Sequence, residues 1–319
     1  TEVVADDPIL AGKSSFLNKY WYTFGTLIFM GVWIFFALRL RNLSLEEDRQ
    51  GGDTSFSLHR KIRFWAALFL PVAAFTSAAL VWQWIMSIDS HWYSTLFAWY
   101  VSASWFVAAM ALTILTIVFL KNLGYYESVT ADHLHDLGKY LFAFSIFWTY
   151  LWFSQYMLIW YGNVGEETVY FHERINNYPV LFYGNLLLNF VLPFFVLMRN
   201  DTKRKYGTLV FVSIAVFFGH WWDFFQMIKP GVYLTAQEAA AHAAGEDVVH
   251  GAASDVGHGP VEQAAHHATE FAMGFTIPGL LELGTLLGFL ALFMYFVFYN
   301  MAKAPLLAEN DPYIQESLH

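Results

Sequence analysis

The chain has 319 residues, of which 57% are hydrophobic, 20% aromatic and only 13% charged. Apolar runs of roughly 20 residues recur, each long enough to cross a hydrocarbon core about 30 Å thick, so composition excludes a soluble globular domain and implies a polytopic membrane protein. The net charge of −9 belongs to loops and tails and gives no reason to expect a nucleic-acid partner. Cysteine is absent, which removes disulfides, thiolate-held iron–sulfur clusters and covalently attached c-type haem from this chain.

The expected fold is all-α, a transmembrane bundle of about seven spans near 20–40, 64–86, 94–120, 138–161, 178–198, 206–228 and 272–299. Residues 1–300 read as a single membrane domain, and 301–319 as a tail. The loop after the first span carries Arg39, Arg41, Arg49, Arg60, Lys61 and Arg63; later loops on that side and the tail bring its Lys and Arg to thirteen, against four on the other side (Lys13, Lys19, Arg174, Lys229). The positive-inside rule then puts the basic side and the C-terminus in the cytoplasm of a bacterial inner membrane. It also puts the first residue, Thr1, outside, which leads us to expect an odd number of further spans upstream.

Between the second and third spans lies MSIDSHWYSTLFAWY, a short outer turn bracketed by Trp82, Trp84, Trp92 and Trp99 as an interfacial belt. Asp89 and His91 in it are either a solvated turn or an entry and exit point for protons. The fourth span carries Tyr150, Ser154 and Gln155, and the fifth carries Asn185 and Asn189, four apart on one face. Hydrogen bonds between helices account for these amides and hydroxyls, and a proton wire could use the same atoms.

The sixth span ends in FFGHWWDFFQM. His220 and Asp223, three apart, share a helix face, and an imidazole facing a carboxylate passes protons near neutral pH. His220 with Trp222 could instead face a quinone, or the whole stretch could be an outer helix end meeting headgroups. Residues 230–270 read as an outer loop rich in Ala, Gly and His. His242, His250, His258 and His266 recur there at intervals of eight, with His267 beside the last. That spacing is too wide for an ordinary metal site, so a flexible polar loop is the better reading and no metal is expected.

The last span holds Glu282 in IPGLLELGTLLGF, about ten residues in, after a Pro278-Gly279 pair able to kink it. A carboxyl at such depth is protonated, paired or beside water, so Glu282 is either a proton-path member or a group hydrogen-bonded across helices. Gly284 and Gly288 make a G-x-x-x-G packing step. Only His220 lies well inside a span, so a b-type haem held by two histidines is not expected. No phosphate-binding loop of the Walker type occurs. A secondary transporter would show paired broken helices, and only one Pro-Gly break is seen.

WQWIMSIDSHWYSTLFAWYVSASWF, followed by FLKNLGYYESVTADHLHDLGKYLFAFSIFWTYLWFSQYMLIWYGNVGEETVYF, resembles the ActF-type membrane subunits of bacterial alternative complex III, within the NrfD/PsrC-like family. The resemblance runs through about 60–228, and more loosely through the last span. It implies a subunit of a respiratory quinol:cytochrome c (electron carrier) oxidoreductase, and more spans than this sequence holds. It also implies haem and iron–sulfur clusters in partner subunits only. Those partners would be the ActC paralogue, a multihaem cytochrome and an iron–sulfur subunit, with lipids and a terminal oxidase alongside. The subunit itself would scaffold the complex and carry protons through Glu282, His220 and Asp223, or else bind quinone.

Overall fold

The computed structural model describes residues 8–51, 55–244 and 278–317. Among these the chain is all-helical, with no strand. A short α1 (Pro8–Lys13) leads into α2 (Lys19–Arg49), α3 (Ser57–Trp84), α4 (Thr95–Asn122) and α5 (Ala131–Gly162). Then follow a short amphipathic α6 (Gly165–Asn177), α7 (Pro179–Leu197), α8 (Asn200–Arg204), α9 (Tyr206–Ala244), α10 (Leu280–Met301) and α11 (Ile314–Ser317).

Six of these helices are long and apolar enough to cross a membrane: α2, α3, α4, α7, α9 up to Thr235, and α10. The seventh expected span, α5, is a continuous 32-residue helix packed into the same bundle. Its Trp, Tyr, Ser and Gln side chains leave it less apolar than the others. Alternate crossings gather the helix ends into two faces. One carries the Arg- and Lys-rich connections and is called the basic face below; α6 and the Asp89 turn lie on the opposite face.

The core is built by α4, α5, α7 and α9. Ala98, Val101, Val107, Ala111 and Ile114 run down α4 without exposure, and small residues among them let α5 and α9 come close. Leu134, Leu141 and Trp148 of α5 meet Leu209, Val212 and Val216 of α9 there. On the basic face Arg204 of α8 bonds Asp132 of α5 at 2.8 Å. The α2–α3 pair attaches beside α4, tied by indole donors: Trp33 to Thr76 at 2.7 Å and Trp84 to Thr26 at 2.9 Å.

α7 changes pitch in its middle. Pro193 has no N–H to give the Asn189 carbonyl one turn earlier, so the α-helical ladder cannot continue there. Leu187–Val191 instead form a π segment in which the Leu192 N–H donates to the Leu187 carbonyl, five residues back. α10 is peripheral, with no buried residue of its own. Arg41 donates to the Asn300 carbonyl at 2.9 Å, and Phe298 lies against Phe119.

One expectation about element ends is corrected. α9 does not stop near 228; it runs through Pro230 to Ala244, so the first third of the expected outer loop is helical. α10 is described from Leu280, with Pro278 and Gly279 non-helical before its first turn; the expected start near 272 lies outside the described residues. The histidine repeat lies outside the described residues, except for His242 at the end of α9.

Candidate functional site

Midway along α9, one helix face carries four polar groups, Ser213, His220, Asp223 and Gln226, spaced by seven, three and three residues, with Val216 between the first two. All four are buried. The expectation that His220 and Asp223 lie at a helix end among headgroups is therefore corrected. Both side chains are fully buried among neighbouring helices instead, with the apolar part of α9 continuing to Thr235.

Asp223 is the centre of the cluster. One carboxylate oxygen accepts the Asn185 amide at 2.7 Å and the Tyr100 hydroxyl. The other accepts Ser104 at 3.1 Å and the Trp148 indole N–H at 3.2 Å. Four donors from three neighbouring helices thus meet the four lone-pair positions of a carboxylate. One more amide extends the network, since Asn189 donates to the Asn185 oxygen at 2.6 Å. Asn189 stands in the π segment of α7, and that wider turn carries its side chain toward α9. Gly219 makes room for it: a Cβ there would lie 2.2 Å from the Asn189 oxygen.

His220 does not touch Asp223 directly. Its Nδ1 lies 2.8 Å from the Ser104 hydroxyl that serves Asp223. Ser104 has one proton; giving it to Asp223 requires His220 to donate through Nδ1–H. His220 Nε2 is then a bare acceptor, buried and without a hydrogen-bond partner, with the Trp148 ring edge-on at 5.4 Å. The chain His220–Ser104–Asp223 is a relay in which one hydroxyl exchanges donor and acceptor roles. Ser213 Oγ, Asn189 Oδ1 and Gln226 Oε1 are likewise buried without hydrogen-bond partners. Together with His220 they mark a polar track about 20 Å long down α9, at a rise of about 1.5 Å per residue.

The track approaches the opposite face at a buried ion pair. Asp89 is no solvated turn residue: its carboxylate bonds Arg174 of α6 at 3.1 Å, and the Arg174 side chain is fully buried. Pro230 explains why an arginine belongs here. With no N–H at Pro230, the Gln226 carbonyl loses its helical donor. Arg174 supplies one through Nε at 3.2 Å, and donates also to Met227 O at 2.9 Å and Tyr170 O at 3.0 Å. Next in the chain, Gly231 lets Asp89 approach; a Cβ there would lie 2.6 Å from its carboxylate. Arg174 also covers the Tyr170 ring, whose other neighbours are Trp92, stacked at 4.1 Å, and Phe97. Burial pushes the Tyr170 phenol above its ordinary range, with Arg174 pulling it partly back, so Tyr170 stays protonated.

The other expected site residues are distributed as follows. Asn185 and Asn189 join the cluster. Gln155 is buried but apart, donating to Ser94 at 3.3 Å to pin α5 to the start of α4. Tyr150 is 63% exposed on the outside of α5, which corrects its place in a proton path. His91 is half-buried beyond Asp89. Trp222 is turned the other way, its indole bonded to Leu181 O at 3.1 Å and packed on Gly184. Glu282 is corrected most: it sits in the first turn of α10, where its carboxylate accepts the Gly279 N–H at 3.0 Å. There it is a helix cap, in a helix that buries nothing.

Tyr100, Ser104, Trp148 and Arg174 were not anticipated. Tyr100 and Ser104, four apart in an otherwise apolar run, were the available signal for a polar face on α4. Neither a family model nor a curated protein sequence matches the chain.

Proposed function

We propose that this chain is an integral membrane subunit of a bacterial respiratory quinol:electron-carrier oxidoreductase, with the redox centres in its partner subunits. Its own chemistry is proton handling at the Asp223 cluster. The observation that carries this reading is a fully buried carboxylate in a membrane-length helix, ringed by four hydrogen-bond donors and joined through a single serine hydroxyl to an imidazole with a free nitrogen. Ionisable groups in a membrane interior are costly, and those that persist mark ion or proton routes. Here the cost is offset by convergent donors from α4, α5 and α7 rather than by a counter-ion.

The proton route uses Ser213, His220, Asp223 and Gln226 in order along α9, with Ser104 of α4 bridging His220 and Asp223. Protonation of His220 Nε2 releases the Nδ1 proton to Ser104, which passes its own to Asp223, so one charge moves while the His220–Ser104 and Ser104–Asp223 hydrogen bonds are kept with their directions reversed. Asp89 and Arg174 close the route at the opposite face. A quinone role for His220 and Trp222 has less support. The imidazole is sealed between Ser104 and Trp148, and the Trp222 indole is committed to a backbone carbonyl.

The test is quinol oxidation by the native complex in proteoliposomes, with a pH-sensitive dye inside. D223N and S104A should each lower protons moved per electron by about tenfold, a lost general acid–base group being worth about that or more. Y150F, on the outside of α5, should match the wild type. Unchanged proton stoichiometry in D223N would show that the cluster is structural.

A further inference from the structure

On the basic face, away from the proton track, three metal-binding side chains converge from distant parts of the chain. Glu47 lies in the last turn of α2, His59 in the first turn of α3, and Asp311 in the tail after α10. One ligand atom from each lies within 4.8 Å of the other two. Glu47 is buried, at 3% exposure, and Asp311 is half-buried.

The backbone around the trio is held by other contacts. The Asn310 N–H donates to the Asp48 carboxylate at 3.0 Å, and the Asn310 side chain donates to the Asp48 carbonyl at 3.0 Å. Tyr313 packs its ring on Phe56 and on His59, 6.3 and 5.1 Å between centroids. Its N–H also fixes the Asp311 carboxylate at 2.8 Å. The tail is thus docked whether or not the trio binds anything.

His59 is the independent observation. Its Nδ1 is buried and makes no hydrogen bond, and the ring forms no ion pair with either neighbouring carboxylate. Two carboxylates and an imidazole that bonded each other would have closed up as an ion cluster. These instead stand apart, beyond ion-pair distance from the imidazole but within 4.8 Å of one another. A tetrahedral ion with ligands at about 2.1 Å spaces them roughly 3.4 Å apart, so the trio needs only small side-chain rotations to close on one.

We infer that Glu47, His59 and Asp311 form a divalent transition-metal site of the zinc type, which staples the C-terminal tail to the α2–α3 connection. One nitrogen and two oxygen ligands suit Zn²⁺ and leave a coordination position for water.

To keep adventitious ions on surface histidines out of the titration, the test uses the full chain with His242, His250, His258, His266 and His267 replaced by Ala. After chelation and dialysis in detergent, Zn²⁺ is titrated by calorimetry and Co²⁺ by absorption. One ion per chain is expected, with a tetrahedral cobalt spectrum. D311N and H59A should each weaken binding by at least about tenfold, as losing even an outer-shell partner does. Zinc should also slow tryptic cleavage after Lys303, and D311N should abolish that protection. D311N lies on a tail docked by Asn310 and Tyr313, so its result does not depend on folding of the bundle. No bound ion, or equal affinity in the H59A/D311N double variant, overturns the site.

Discussion

A single charge inside a membrane protein survives by one of two means, and this chain uses both. Asp223 is met by neutral donors, four around one carboxylate. Arg174 is met by an opposite charge, Asp89, and by three carbonyls, one of them set free by Pro230. The difference predicts unequal costs of mutation. R174M removes the charge, strands Asp89 and leaves the carbonyls unserved, so it should destabilise by about 3–5 kcal/mol, as breaking a buried pair from one side does. D89N leaves Arg174 its three carbonyls and offers a neutral acceptor, so roughly half that cost is expected, a charged hydrogen bond being worth about 1.5–3 kcal/mol. Denaturation in mixed micelles would rank the two; D89N as damaging as R174M would mean that the carbonyls contribute nothing. These residues also show what the sequence hides. A carboxylate and an imidazole in an apolar run are visible by their cost, and Asn185 and Asn189 by their spacing. Arg174, in a polar stretch near the surface, looks like any loop cation until α6 folds it under Trp92 and Tyr170.

At the scale of elements, the site depends on irregular turns. α7 must widen to a π turn to bring Asn189 to Asn185, and α9 must lack a side chain at Gly219 to receive it. In G219A the new methyl would lie 2.2 Å from the Asn189 oxygen and 2.9 Å from Leu188 Cβ, part of the helix rather than a flexible end. α7 and α9 would have to separate, at about 1–3 kcal/mol for an overpacked core. G184A, whose Cβ would meet the Trp222 ring at 3.4 Å, should change little. Thermal unfolding followed by tryptophan fluorescence distinguishes them, and equal midpoints would argue against the close approach. Spans were legible because apolar runs of membrane length have no other use. Their ends were not. Trp221 and Trp222 beside His220 and Asp223 look like an interfacial belt, yet α9 continues because Pro230 is tolerated where Arg174 replaces the missing donor. Glu282 is different: its depth was counted from a start near 272, outside the described residues, and among the described residues it caps the first turn of α10.

At the scale of the molecule, the packed unit is α4, α5, α7 and α9, with α2 and α3 beside it and α10 nearly detached. The buried polar groups around Asp223 and Arg174 belong to the first set or to its seam with α6. Such a layout keeps the proton track away from α10 and α2, whose apolar faces are open to lipid or to neighbouring subunits. The route has a direction only if the membrane orientation is known, and here charge makes a definite prediction. Thirteen Lys and Arg on the basic face against four on the opposite one place Asp89 and Arg174 outside, and Ser213 toward the cytoplasm. The chain has no cysteine, so single replacements report cleanly. In intact cells, cysteine at Asn163, in the exposed turn between α5 and α6, should react with a membrane-impermeant maleimide. Cysteine at exposed Asp201 on the basic face should react only after the membrane is opened. The reverse pattern would invert the bundle, and the Asp89–Arg174 pair would then be the cytoplasmic end of the route, taking protons up where this orientation has it release them.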